Sequence, residues 1–247
     1  MALAGVLGAL IGSFLNVVIH RVPRRESLVR PRSRCPECAT PIAPYDNVPV
    51  LSWLLLRGRC RGCGERISPR YPLVELLTAL AFAAVVLVRG FDEDLVLELP
   101  FVAALIALAG IDYDHKLLPN RIVYPLAAYG LIATVLVDRE DLLEHVAAGA
   151  GAFAFLLAAV VAYPRGMGMG DVKLAGAMGL FLGLSVIPAL LVAFLSGSIV
   201  GLAIIAREGV AGRKKAIPFG VFLALGGIVG VLAGPELIDL YESNFLE

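Results

Sequence analysis

Apolar residues in this chain come in long runs separated by short polar segments. Eight runs are long enough to cross a bilayer, which takes about 20 residues with a range of roughly 17–25. They lie near 2–19, 73–89, 95–111, 121–137, 145–163, 171–187, 188–206 and 216–234. Pro188 marks either the break between the sixth and seventh runs or a kink within one longer helix. The first run is apolar from Met1, has no basic leader before it and is followed by basic residues. It reads as a membrane span rather than a cleavable signal.

Composition narrows the class. Of 247 residues, 59% are hydrophobic and 17% charged. A soluble domain is nearer a quarter charged, so the polar material here is too scarce to cover a globular surface. The expected fold is an all-α polytopic membrane protein of about eight transmembrane helices, with a small cytoplasmic module after the first. Net charge is zero. Bulk charge therefore gives no sign of a nucleic-acid partner, and none is expected.

The distribution of charge says more. With eight spans, segments 20–72, 112–121, 163–173 and 207–215 share one side and hold 19 of the 21 Lys and Arg. The other side holds Arg89, Arg139 and the acidic clusters Asp92-Glu93-Asp94 and Asp138-Glu140-Asp141, with the C-terminal tail. Basic loops stay cytoplasmic, so the chain should place 20–72 in the cytoplasm and both termini outside. Small residues recur at spacing four in the late spans: Ala175, Gly179 and Gly183; Gly197 and Gly201; Gly226, Gly230 and Gly234. Such rows let helix backbones approach closely in lipid.

All four cysteines lie in the first polar segment, as Cys35-Pro-Glu-Cys38 and Cys60-Arg-Gly-Cys63, with 21 residues between the pairs. Two C-x-x-C knuckles at such a separation suit one tetrahedral zinc with four thiolates. A cytoplasmic location argues against disulfides. With no open coordination position the zinc should be structural, stapling a segment too short for a comfortable core. A small residue, Ala39 or Gly64, follows the second cysteine of each pair, which is expected to leave backbone N–H groups free to donate to the sulfurs.

Two acids stand apart from the loop clusters. Asp112 ends the third span and Asp171 opens the sixth, after Gly168-Met169-Gly170. Both fall at the cytoplasmic membrane edge on the expected topology. Adjacent carboxylates cannot both ionise easily, so one keeps a proton. The ionised partner can then activate a water while the protonated one hydrogen-bonds a scissile carbonyl. The glycines before Asp171 are expected to permit unusual backbone angles and close approach of a substrate strand. Asp114 competes with Asp112, but residues two apart point to nearly opposite sides of a helix. His115 lies nearby. No G-x-S-x-G or H-E-x-x-H motif offers another mechanism.

Taken in order, the motifs resemble the prepilin peptidase family, the type IV leader peptidases. Gly12-Ser-Phe-Leu-Asn-Val-Val-Ile-His-Arg-Val-Pro23 resembles its first-span signature. The paired knuckles follow, with Tyr45-Asp-Asn-Val-Pro-Val-Leu-Ser52 between them and Arg70-Tyr-Pro-Leu-Val-Glu-Leu76 after. Then come Ile111-Asp-Tyr-Asp-His-Lys-Leu-Leu-Pro119, the Gly-Met-Gly-Asp box with Lys173, and Ile217-Pro-Phe-Gly220. The resemblance implies that Asp112 and Asp171 are the catalytic aspartates. It implies that the substrates are type IV prepilins or type II secretion pseudopilins, cut between a Gly and usually a Phe. It also implies N-methylation of the new amino terminus from S-adenosylmethionine, for which no nucleotide-binding fingerprint is found and no binding residues are assigned. Asn120 departs from the family's usual Asp, and Ala216 and Val221 stand where prolines are common.

The organisation expected is a first span at 1–19, a zinc-binding module at 20–72 and a helical protease core at 73–247, in the bacterial inner membrane. Lipid and the prepilin substrates are the expected partners. An ion- or proton-coupled transporter would need further acids deep in the spans, and only Glu75 begins to qualify. A non-catalytic zinc-bearing scaffold would tolerate loss of both aspartates. A presenilin-like protease would leave the cysteines and the first-span motif unexplained.

Overall fold

The computed structural model describes residues 1–137, 139–163, 166–209 and 216–245, without the side chains of Glu242 and Phe245. Asp138 of one acidic cluster, Arg165 and the basic Arg213, Lys214 and Lys215 lie outside these. The chain divides into two compact units, Met1–Gly90 and Phe91–Glu247. Among the described residues the regular structure is helical, with two isolated β-bridges. In lipid a spanning segment must satisfy its own backbone, which a helix does and an isolated strand does not.

In the first unit, α1 (Ala2–Arg21) and α3 (Arg70–Arg89) run antiparallel. Gly8 and Gly12 are the reason they approach so closely. A Cβ on Gly12 would lie 2.7 Å from Glu75 Cα, and one on Gly8 2.7 Å from the Thr78 carbonyl. Asn16, one turn on, is buried and donates to the Gly12 and Tyr71 carbonyls, tying the two helices. The polar segment between them carries a 3-10 turn at Pro44–Asp46 and a short helix, α2 (Leu51–Leu55). Val50, just before α2, has φ +61°, a conformation costly for a β-branched residue. Glu75 accepts its N–H at 2.7 Å and holds it there. That bond gives the one acid within a span that suggested transport a local structural use.

The second unit holds α4 (Leu95–His115), α5 (Asn120–Val137), α6 (Leu142–Ala162), α7 (Met169–Leu182), α8 (Val186–Glu208) and α9 (Phe219–Phe245). By length and composition seven segments of the described chain could cross a membrane, with Met169–Glu208 taken as one of 40 residues. A single helix of that length would measure about 60 Å, twice the roughly 30 Å hydrocarbon core. It is not single. A 3-10 turn at Gly183–Ser185 separates α7 from α8, and the chain reverses there. Phe101 of α4 stacks on Phe181 of α7, while Asp112 and Leu105 of α4 meet Gly220 and Gly227 of α9. So α7 and α9 both run opposite to α4. Ser185 meets Gly234 and Gly201 meets Ile217, so α8 runs opposite to α9 and hence to α7. Among the described residues the 40-residue stretch is therefore two antiparallel helices, matching the separate sixth and seventh apolar runs.

The break falls earlier than Pro188, at Gly183 with φ +53°. Pro188 sits in the first turn of α8, where its missing N–H leaves no bond unmade. Of the small-residue rows, two make close contacts. A Cβ on Gly179 would lie 2.5 Å from Gly149 N, and one on Gly234 would lie 2.5 Å from Ser185 Cβ. Gly197 and Gly201 instead face Phe222 and Ile217 at ordinary van der Waals distance. The core of this unit is built from Phe101, Leu105, Leu108 and Ile111 of α4, Leu174 and Met178 of α7 and Leu223 of α9, all fully buried. The Phe101–Phe181 stack, at 4.4 Å between centroids, adds about 0.5–1.5 kcal/mol beyond area burial.

Candidate active site and metal centre

The two aspartates meet within the second unit, at the end of the bundle where α4 finishes and α7 and α9 begin. α4 runs one turn beyond Asp112, to His115, and closes on Lys116 in the left-handed region. Asp112 is 5% exposed and Asp171 8%. Each carboxylate lies within electrostatic reach of the other. Asp114 and His115 are exposed on the same last turn. The helical offset of two residues puts Asp114 on nearly the opposite side of α4 from the buried Asp112.

Backbone N–H groups anchor both side chains. Gly220, second residue of α9, donates to Asp112 Oδ2 at 2.8 Å. Gly168, the residue preceding α7, donates to Asp171 Oδ2 at 3.0 Å. Asp171 is the third residue of α7, so its carboxylate reaches back to an otherwise unpaired N–H at the helix start. The glycines of the box are not in unusual backbone regions: Gly168 is extended at φ −91°, and Gly170 lies within α7. Their use is room and donation. A Cβ on Gly170 would lie 3.0 Å from Leu118 Cβ, and one on Gly220 would lie 2.8 Å from Asp112 Oδ2 and 3.0 Å from Leu118 Cδ2.

Sequence reasoning missed the anchors. Gly220 was visible only as the end of Ile217-Pro-Phe-Gly220, and nothing local shows that its N–H meets a carboxylate 108 positions away. Leu118 stood in the quoted Leu-Leu-Pro stretch as an ordinary apolar residue. Lys173 Nζ donates to Asn120 Oδ1 at 3.2 Å and lies 5.2 Å from the Tyr124 ring centroid. Asn120 keeps the acceptor that the family's usual Asp would supply, so this departure preserves the tie between α5 and α7.

The cysteines converge within the first unit. All four Sγ atoms lie within 4.8 Å of one another. Cys35–Cys63 and Cys38–Cys60 are 3.9 and 4.0 Å apart. Four sulfurs at about 2.3 Å from one ion would stand about 3.8 Å apart, so the set fits a tetrahedral zinc. The two knuckles repeat one fold. Cys35 N–H bonds the Thr40 carbonyl and Cys60 N–H the Glu65 carbonyl. Ile42 reaches Ser33 and Ile67 reaches Gly58 in the same way.

The N–H groups of Ala39 and Gly64 themselves bond the Cys35 and Cys60 carbonyls. Both positions have positive φ, +57° and +74°, which glycine adopts freely and alanine only at a cost. Other groups approach the sulfurs. The Thr40 hydroxyl and backbone hold the Cys38 thiol down to about 6. The N–H groups of Cys63 and Gly62 lower that of Cys60. Asp46, from the motif between the knuckles, takes a two-point bond from Arg61 at 2.7 and 2.8 Å. Its carboxyl is held below the usual range by that guanidinium.

Comparison with known proteins now identifies the architecture. Residues 6–89 match the Bacterial Peptidase A24 N-terminal domain and residues 99–206 the Type IV leader peptidase family. The chain belongs to the type IV leader peptidase family. It is 38% identical to a prepilin leader peptidase/N-methyltransferase of Aeromonas hydrophila, over 99% of this chain and 94% of the relative. It is 44% identical to a protein of that name from Myxococcus xanthus, over 85% of this chain and 64% of the relative. It is 40% identical to a type 4 prepilin-like proteins leader peptide-processing enzyme of Escherichia coli, over 93% of this chain and 92% of the relative. No solved structure matches the chain significantly. This leader peptidase family member is a multi-pass membrane protein.

Proposed function

We propose that this chain is an inner-membrane aspartic endopeptidase that removes the leader of type IV prepilins or type II secretion pseudopilins and then N-methylates the new amino terminus. The observation that carries the peptidase reading is the Asp112–Asp171 pair. Two buried carboxylates are held together from different helices by Gly220 and Gly168. Asp112 and Asp171 are the catalytic residues of this reading.

Their chemistry follows from sharing one proton. The ionised carboxylate takes a proton from water as its oxygen bonds the scissile carbonyl carbon. The protonated carboxylate gives its proton to the carbonyl oxygen. Collapse of the resulting gem-diol breaks the C–N bond: the leaving nitrogen takes the proton first removed from water, and one diol hydroxyl returns its proton to the carboxylate that protonated the carbonyl, so that acid and amine leave and the pair again shares one proton. The N–H anchors fix both carboxylates before substrate arrives, so no reorganisation is needed during the reaction. Basic residues cluster at this end of the chain's topology, which supports an active site on the cytoplasmic side.

Cys35, Cys38, Cys60 and Cys63 would hold a structural zinc that shapes module 20–72. The methyl donor for the second step is S-adenosylmethionine, which supplies an electrophilic methyl group to the freed amine. The names of relatives such as the Aeromonas hydrophila protein support this activity. Mass spectrometry of a prepilin co-expressed with this chain tests both steps. The product should lack its leader and carry one methyl group. An intact leader would contradict the peptidase reading, and a cut but unmethylated product would contradict the second step alone.

A further inference from the structure

We infer that the open pocket beside α2 binds the phosphodiester of an anionic phospholipid, with Leu51, Leu54 and Leu55 lying among the lipid chains. The inference needs only that α1 and α3 span the membrane and is independent of the peptidase reading. The pocket measures about 440 Å³, and Trp53, Arg57, Arg59, Arg66, Ser68 and Pro69 help to line it. No acidic residue does. One wall is fixed: the Trp53 indole N–H donates to the Ile67 carbonyl at 3.1 Å, and a Cβ on Gly58 would lie 2.9 Å from that ring. Arg59 and Arg66 pair across a β-bridge in the second knuckle. Like charges placed directly opposite each other are destabilising. Among the described residues, the guanidinium groups of Arg57, Arg59 and Arg66 have no hydrogen-bonding or ionic partner. A phosphodiester would relieve the repulsion and supply the paired oxygens that a guanidinium fork binds.

The pocket stands where the chain enters the membrane. Ser68 and Pro69 lead directly into the first turn of α3. Val50, just before α2, is tied to Glu75, which lies about 7 Å along α3 from Arg70 at 1.5 Å per residue. Interfacial helices sit at that depth, roughly 5–10 Å into the headgroup and acyl boundary. The polarity of α2 is the reverse of a helix in water. Its Ser52 is buried, while Leu51, Leu54 and Leu55 are 58%, 56% and 83% exposed. These leucines are three and four residues apart, so they share one face. Lipid chains cover such a face without leaving apolar area in water. The unneutralised arginines beside it select an anionic headgroup over a zwitterionic one.

Trp53 is the single tryptophan of the chain, so its fluorescence reports on this pocket alone. The test uses the full chain in phosphatidylcholine vesicles containing phosphatidylglycerol. Bromine, a contact quencher, is carried on the acyl chains of one lipid or the other. Each arginine near an anionic surface strengthens association roughly fivefold. At equal mole fraction, brominated phosphatidylglycerol should therefore quench wild type several times more than brominated phosphatidylcholine. Arg59→Gln/Arg66→Gln should lose most of that excess and still be quenched by brominated phosphatidylcholine. If the double variant does not accumulate, Arg66→Gln, which alters one exposed side chain, should lower the excess about fivefold. Equal quenching of wild type by the two lipids overturns the headgroup site, as does an excess that survives in the variants. No quenching by either lipid overturns the seating of α2 in the leaflet. An excess abolished by inorganic phosphate at matched ionic strength marks a site for the free anion and overturns the lipid assignment.

Discussion

Gly220 N–H donates to Asp112 Oδ2 at 2.8 Å, joining the start of α9 to the end of α4. The bond explains a glycine in the Ile-Pro-Phe-Gly stretch. A side chain at Gly220 would collide with the carboxylate it serves and with Leu118.

Gly220→Ala should therefore damage catalysis more than stability. Its Cβ would stand 2.8 Å from Asp112 Oδ2, forcing the carboxylate or α9 to move. Misplacement of a reacting group by about 1 Å costs on the order of 10²-fold. Leader-cleavage kinetics should show kcat falling by about 10–100-fold, with near-normal expression and KM. Wild-type kcat would show that the anchor is dispensable.

Removing the metal should act on the first unit. Purified protein should contain about one zinc, as a single four-sulfur site requires. Chelation or Cys35→Ser should open segment 33–67 to limited proteolysis, because the two knuckles have little apolar core to hold them. Cleavage by the aspartate pair should persist at a reduced or normal rate. A metal-free preparation with the module still protease-resistant would contradict the assignment.

Sidedness is open to direct labelling. A cysteine introduced at Glu26 should be missed by a membrane-impermeant thiol reagent in intact cells, while one at Glu140 should be labelled. The motive is the placement of 19 of the 21 Lys and Arg on the side of segment 20–72. The reverse pattern would put the aspartates on the outer face.

Much of this architecture was legible in the chain, for physical reasons. Lipid imposes long apolar runs, so each helix showed as a run, and only the Gly183 turn was misplaced because Pro188 is the louder local signal. The convergence of the four cysteines was legible because C-x-x-C spacing encodes a knuckle. What Ala39 and Gly64 do was not, since positive φ follows from the folded turn. Helical phase allowed only one of Asp112 and Asp114 to face Asp171, and the nearness of Asp112 to the apolar run favoured it. The partners Gly220, Gly168 and Leu118 were hidden because their roles arise from contacts between helices. The Gly8–Gly12 row was equally silent: only the closeness of α3 shows why it is there.

The central claim is that Asp112 and Asp171 act as one proton-sharing pair. The direct measurement is leader cleavage of a prepilin by Asp112→Asn, Asp171→Asn, the double variant and Asp114→Asn, each checked for expression. Either single change in the pair should abolish cleavage and the double should be no worse, since residues acting as a unit are non-additive. Asp114→Asn should keep substantial activity, because that side chain is exposed and residues two apart on a helix point to nearly opposite sides. The wild-type rate should be bell-shaped in pH, as both the doubly protonated and doubly ionised pairs are inactive. Full activity in Asp112→Asn or Asp171→Asn would contradict the account.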